Sequence, residues 1–238
     1  MTSVLATGQM FATSLAIVGR LAVTDLSLAN GELVALVGPN GGGKTSLLRA
    51  IAGVEGSSGR IEVDAEVVGD AAPARRAQLI GLVPASRELR WPIAVSDLVR
   101  LGRARVDEAR VAALLDRLEL APLAHRPVDR LSTGERARVV VARLLVARPR
   151  LMLLDEPLAN LDPYWVLRMI ELLRDEASAG AAVVVALHDL DQLAKFDRAL
   201  MVAGGEIIAD QAPADLLASP QFADIFRVKP TANGFSLV

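Results

Sequence analysis

The chain has 238 residues, enough to bury a full core as one large α/β domain or as a domain carrying a smaller inserted one. Its formal net charge of −2 comes from 26 basic and 28 acidic residues without a basic stripe, which argues against a nucleic-acid partner. Absence of cysteine excludes disulfides and thiol catalysis, and although 52% of residues are hydrophobic, no run reaches the roughly 18 apolar residues of a spanning helix.

The first segment, residues 1–19, carries no charge. It lacks a basic leader, and Thr, Ser and Gln interrupt its apolar run, so no export signal is read. Residues 11–18 and 21–28 alternate as two strands before the turn Asn30-Gly31. The apolar run 33–37 follows, then Gly38 to Thr45, which fits G-x-x-x-x-G-K-[ST], then a helical pattern beginning near Lys44. Small strands at 59–63 and 66–68 sit among glycines, and 79–84 reads as a buried strand ending at a proline.

From Ala85 to about Val146 the apolar spacing turns helical, through Val95, Leu98, Val99 and Leu101, then Val106, Val111, Leu114, Leu115 and Leu118. This block reads as a helical insertion. The core resumes with a strand at 151–154, a helix over 164–177, a strand at 182–187, a helix at 190–196, strands at 199–202 and 206–209, and short helices at 214–218 and 221–226. Such strand–helix alternation predicts a mainly parallel sheet covered on both faces.

The chemistry starts at the glycine-rich loop. Backbone N–H groups wrap a polyphosphate only where side chains are absent, and Gly38, Gly41, Gly42 and Gly43 meet that need. Lys44 is expected to reach the β- and γ-phosphates, Thr45 to offer its hydroxyl to Mg²⁺, and the following helix to aim its N-terminus at the anion. The bland alternative is a glycine-rich turn between strand and helix. Asp155 and Glu156 end a wholly apolar strand, where ligands of open α/β sheets bind. Asp155 is expected to hold magnesium and Glu156 to polarise the water that attacks the γ-phosphate. His188 ends another apolar strand and is either a γ-phosphate contact or an ordinary strand-end histidine. Ser132 and Glu135 have the spacing of a capping box before a helix at 136–146, and that helix N-terminus can also face an anion.

Taken together, GPNGGGKT, LSTGE, LMLLDEP, the ANLD turn with Asn160 and Asp162, and His188 resemble, in order and separation, the nucleotide-binding subunits of ATP-binding-cassette (ABC) transporters. The resemblance covers nearly the whole chain. It implies an α/β P-loop NTPase core with a mainly parallel sheet, a small antiparallel β subdomain and an inserted helical subdomain. The implied domain is single, with residues 1–84 and 148–238 as core and 85–147 as the helical part. It implies ATP and Mg²⁺ as cofactors and an ATPase cycle in which Asn40 and Ser46 join the nucleotide-binding loop. Two subunits, in the simplest case identical, would sandwich two ATP molecules. Ser132, Thr133, Gly134 and Glu135 would then face the partner's nucleotide, and Asp162 would communicate between the sites.

The family likeness also implies integral membrane permease subunits, a solute-binding protein, and a cytoplasmic location on the inner face of the membrane. Residues 86–103 and the segments DEPLANLD and ALHDLDQLAKFDRALMVAGGEI look like those of metal-chelate importers of the iron–siderophore, haem or cobalamin type. Two residues depart from the pattern. Ala85 stands where the family carries a glutamine, and the aromatic that stacks on adenine is missing near Val18 to Arg20, where Arg20 offers a guanidinium plane or a merely solvated charge. The stretch between Arg105 and Arg110 is short. These departures leave a second reading open, an ATP-dependent dimerising module of regulatory or structural kind with little turnover. A soluble relative working on DNA or ribosomes ranks last.

Overall fold

The computed structural model describes residues 9–54, 56–86, 89, 91–102, 107–231 and 234–237. In chain order the strands and helices are β1 (Gln9–Ile17), β2 (Leu21–Ala29), β3 (Leu33–Val37), α1 (Lys44–Ile51), β4 (Ser58–Val63), β5 (Glu66–Val67), α2 (Pro73–Leu79) and β6 (Ile80–Val83). Next come α3 (Val95–Arg100), α4 (Glu108–Arg117), α5 (Thr133–Ala147), β7 (Leu151–Asp155), α6 (Pro163–Ser178), β8 (Ala182–Ala186), β9 (Arg198–Ala203) and β10 (Glu206–Gln211). Two short helices, α7 (Pro213–Ala218) and α8 (Pro220–Phe226), and the hairpin β11 (Val228–Thr231) and β12 (Gly234–Leu237) follow.

The central sheet has six strands in the order β10-β9-β3-β8-β7-β6, parallel except for the β9–β10 hairpin. A second sheet, β2-β1-β4-β5, is antiparallel throughout. The central strands are apolar on both faces because both are covered. Leu33, Ala35 and Val37 of β3 pack with the helices α3 to α6, while Val34 and Leu36 point the other way, toward α1 and the antiparallel sheet. Strand register then decides where the chemistry sits: Leu36 pairs with Ala186, and Ala186 with Asp155. The loops after β3, β7 and β8 therefore leave the sheet at one edge.

Several sequence expectations need correction. The strand expected at 79–84 begins only at Ile80, because Pro73–Leu79 is a helix that buries a single residue, Leu79, and so shows no apolar period. That strand is also the sheet edge and only half buried, which suits the proline that follows it. The segment Leu190–Lys195 is a 3₁₀-helix rather than an α-helix, and the hairpin of β11 and β12 was not anticipated. Helix α5 starts at Thr133, three residues before the expected start at Arg136. Trp91 is 78% exposed. Arg87, Glu88, Arg90 and residues 103–106, Val106 among them, lie outside the described residues. No helix among the described residues is long and apolar enough to cross a membrane.

Candidate nucleotide site

The loop from Gly38 to Gly43 connects the wholly buried β3 to α1, and its shape depends on missing side chains. A Cβ on Gly38 would lie 2.0 Å from the Val202 carbonyl oxygen, and one on Gly42 would lie 2.9 Å from the same atom. Gly43 caps α1 in the left-handed region, with φ 112°. The turn Gly204-Gly205 after β9 braces the loop from outside: Gly205 N–H donates to the Gly42 carbonyl at 2.9 Å. Lys44, 7% exposed, folds its ammonium back over the loop, donating to the carbonyls of Gly38 at 2.8 Å and Pro39 at 3.3 Å. Burial lowers its pKa, against the opposing pull of the Glu156 and Asp155 charges.

Gly42, Gly43, Lys44 and the Gly204-Gly205 turn, though not Gly38 itself, line a cleft of about 670 Å³, a size suited to a nucleotide. Asn40, Gly41, Thr45 and Ser46 line it together with Lys44 and Glu156, and the turn at Gly19, Arg20, Leu21 and Ala22 closes its far side. That far side is fixed to the same brace. Ala22 N–H donates to the Gly205 carbonyl at 2.9 Å, and a Cβ on Gly205 would meet the Arg20 carbonyl at 2.7 Å. No aromatic side chain lines this cleft among the described residues.

Asp155 ends β7 at 3% exposure. Burial raises its pKa, and the Thr45 hydroxyl opposes the rise by hydrogen bonding. Its Oδ1 is buried without a hydrogen-bond partner. A buried carboxylate oxygen lacking a donor, beside a threonine hydroxyl, is a donor set of the hard-oxygen kind that suits Mg²⁺, which keeps much of its water and takes phosphate oxygens as further ligands. No group of three or more His, Cys, Asp or Glu side chains forms an all-protein metal cage among the described residues.

Glu156 is the hinge between two clefts. It lines the first and also a second one of about 440 Å³ with Leu158, Asn160, Leu161, His188 and Asp189. Its backbone has φ 51° and that of Asn160 φ 62°, left-handed values costing a non-glycine residue about 1–2 kcal/mol each. His188 is exposed at the end of β8 and shares this second cleft. Asp162 caps α6, its Oδ1 accepting from Trp165 N–H at 2.9 Å. Ala85 is exposed on a bend after β6 and lines neither cleft.

The LSTGE segment stands elsewhere. Ser132 and Glu135 form the reciprocal capping box of α5: Ser132 N–H donates to Glu135 Oε2 at 2.7 Å, and Glu135 N–H to Ser132 Oγ at 3.3 Å. The Ser132 N–H holds the Glu135 carboxyl below the usual carboxylate range. Ser132 and Thr133 are exposed, and none of Ser132, Thr133, Gly134 and Glu135 lines either cleft. Gly134 differs from the loop glycines. A Cβ there would meet nothing closer than 3.7 Å, so the chain's own packing does not require glycine at this position.

The structure thus brings the phosphate loop, Asp155, Glu156 and, by way of Glu156, His188 to one edge of the sheet, and leaves the LSTGE segment outside. Sequence reasoning missed Gly204 and Gly205, although a Gly-Gly pair between two apolar strands is a hairpin signal that could have marked the brace.

A family model described as "ABC transporter" matches residues 21–159. The hemin import ATP-binding protein HmuV of Streptomyces coelicolor is 41% identical over 212 residues, 85% of this chain and 76% of that protein. Its namesake in Rhodopseudomonas palustris is 38% identical over 223 residues, 88% and 83% of the two chains. A probable ABC transporter ATP-binding protein of Azorhizobium caulinodans is 36% identical over 220 residues, covering 87% and 78%. Among solved structures, an ATP-binding subunit of an ABC transporter superposes with TM-score 0.80 at 21% identity over 90% of this chain and 93% of that one. A nucleotide-free ATP-binding cassette does so with TM-score 0.79 at 21% identity, over 92% and 98%.

Proposed function

The chain belongs to the ABC transporter family as an ATP-binding ATPase subunit, and from that premise we propose that it powers import of a metal chelate, haem first among the candidates, through a membrane permease. The relatives named for hemin import, at 33–41% identity, support the solute class. The observation that carries the ATPase part of the reading is the union, at one sheet edge, of a sterically forced phosphate loop with the carboxylates of Asp155 and Glu156.

The proposed division of labour follows from position. Backbone N–H groups from Gly41 to Ser46 and the Lys44 ammonium neutralise the phosphates once the ammonium releases the Gly38 carbonyl. Thr45 and Asp155 would hold Mg²⁺, which supplies charge neutralisation on the transferred phosphoryl group. Glu156, fixed by its left-handed backbone in the wall between both clefts, orients and deprotonates the attacking water, and His188 faces the γ-phosphate from the second cleft. Arg20 offers the planar surface on which the base rests.

Ser132, Thr133, Gly134 and Glu135 reach no nucleotide in their own chain under this scheme. Gly134 supports a second copy as the nucleotide's other wall: its missing side chain serves nothing in its own fold, as expected where a phosphate comes close from outside. Asp162 then lies where the two copies meet. The helical part, residues 85–147, and the core, 1–84 and 148–238, form one ATPase domain in this reading. The exposed Trp91 with Ile93 supplies an apolar contact for the permease on the inner membrane face, and a solute-binding protein delivers the chelate.

The second reading, a dimerising module with little turnover, draws on Ala85, whose methyl group cannot order a water. Reconstitution with the permease in liposomes separates them. The leading reading expects ATP-dependent haem uptake and none with Lys44→Ala. Nucleotide binding and dimerisation without uptake or phosphate release would favour the module.

A further inference from the structure

One charged side chain outside both clefts combines a cation–π contact with a partly buried guanidinium. Arg138, on α5 behind the LSTGE segment, lays its guanidinium over the indole of Trp165, 4.0 Å from the ring centroid. Its Nη1 donates to the Leu118 carbonyl at the end of α4 at 2.6 Å, and its Nε is buried with no partner. An apolar side chain would avoid stranding Nε but would take this donor from the carbonyls of Leu118 and Glu119 and lose the charge over the indole, so the arginine ties the end of α4 and the first turn of α6 to α5. Trp165, 7% exposed, is in the first turn of α6, and its N–H is the one that Asp162 accepts.

Tyr164 makes two further contacts at the same junction. It meets Trp165 edge-on at 5.3 Å and donates its hydroxyl to Glu119 Oε1 at 2.8 Å. Gly134 lies beside the turn without fastening it: an added Cβ would stand 3.7 Å from Leu161 Cδ2 and 3.8 Å from the Asn160 carbonyl. The charges around Arg138 are Glu135 on its own helix, Glu119 after α4, and Asp162 with Tyr164 at α6.

We propose that Arg138 is a positioning residue: through the face of Trp165 it locks the Asp162 turn to the LSTGE helix of the same chain, so that both meet the partner's ATP as one rigid piece. The inference rests on the two-copy reading of the site. It assigns to Arg138 no contact with nucleotide. The expected signature is a lowered kcat at unchanged nucleotide affinity, because the phosphate loop does not touch this junction.

The test uses the ATPase–permease complex and compares Trp165→Phe, which keeps an aromatic face, with Trp165→Leu, which keeps apolar bulk and loses the face, alongside Arg138→Met. The proposal expects Trp165→Leu and Arg138→Met to lower kcat about 10-fold with KM within about 2-fold, and Trp165→Phe to recover at least half of the rate. ATP-driven dimerisation of the isolated subunits in a Glu156→Gln background, by light scattering, is a second readout and should weaken in the same order. Wild-type values for Leu and Met variants, or a Phe variant as impaired as Leu, would overturn it. Should Arg138→Met fail to fold, the Phe–Leu contrast decides alone. Failure of the function reading looks different: the unmodified subunit would neither bind ATP nor dimerise with it.

Discussion

The phosphate loop and the LSTGE segment are both glycine-bearing turns that open a helix, yet the chain constrains them in opposite ways. Around the loop, Val202, Gly205 and Arg20 press so close that added Cβ atoms on Gly38, Gly42 or Gly205 would sit 2.0 to 2.9 Å from a carbonyl oxygen. Around Gly134 there is room, and Ser132 and Thr133 stand exposed. A turn enforced by its own chain is finished before any ligand or second copy arrives, the finished half of the site in the proposed scheme. A turn whose glycine nothing in the chain demands is shaped for what approaches it. The difference teaches that the two turns are held by unlike constraints, and in the proposed two-copy site, where they serve as two halves, substitutions in them should fail for different reasons.

The largest effect is expected at the finished half. Glu156→Gln removes the base while keeping shape, and steady-state phosphate release should fall by roughly 10²–10⁴ with ATP affinity preserved. A rate within a few-fold of wild type would break the assignment. The paired glycines sharpen the comparison most directly. Gly38→Ala should abolish tight ATP binding and lower the melting temperature, since Val202 belongs to a central strand and cannot yield. Gly134→Ala should leave the melting temperature unchanged or slightly raised, as expected for glycine replaced by alanine in a helix, and retain ATP binding by the lone subunit, while weakening ATP-driven dimerisation about 10-fold. Equal melting behaviour of the two variants would erase the distinction.

Ala85 marks a third kind of position, placed at the chemistry by family likeness and outside both clefts in space. Ala85→Gln should raise the ATPase rate of the permease complex about 10-fold if one positioned polar contact is regained in the transition state. The smallest effect belongs to the cap of α5. Glu135→Ala should cost about 1 kcal/mol, or roughly 2–4 °C in melting temperature. The Ser132 N–H lowers the Glu135 pKa in the folded chain, so this stabilisation is complete above the ordinary glutamate pKa of about 4.3 and is lost as pH falls through the folded value. Melting curves of the two proteins should separate at pH 7 and converge in acid.

The phosphate loop's strand–loop–helix form was legible in the sequence because its pattern is local: glycines, an apolar strand before them and a helix after them. The capping box of Ser132 and Glu135 was legible for the same reason. What escaped depends on contacts distant in sequence. Gly205 braces Gly42 across the sheet, Arg138 finds Trp165 across two helices, and helix α2 has only Leu79 to betray a buried face. The closing hairpin escaped because Val228–Thr231 is largely exposed and contains a proline, although Asn233-Gly234 was a turn signal that could have been heeded.

The central claim, that the open half of one copy faces the finished half of another, can be tested directly because the chain has no cysteine of its own. Asn40→Cys and Ser132→Cys are made separately in the Glu156→Gln background, mixed, and treated with a short thiol-to-thiol cross-linker with Mg-ATP, with ADP and without nucleotide. The account predicts Asn40–Ser132 heterodimers that form with ATP and not with ADP. Cross-linking that ignores nucleotide, or that joins Asn40 to Asn40 and Ser132 to Ser132 instead, would contradict it.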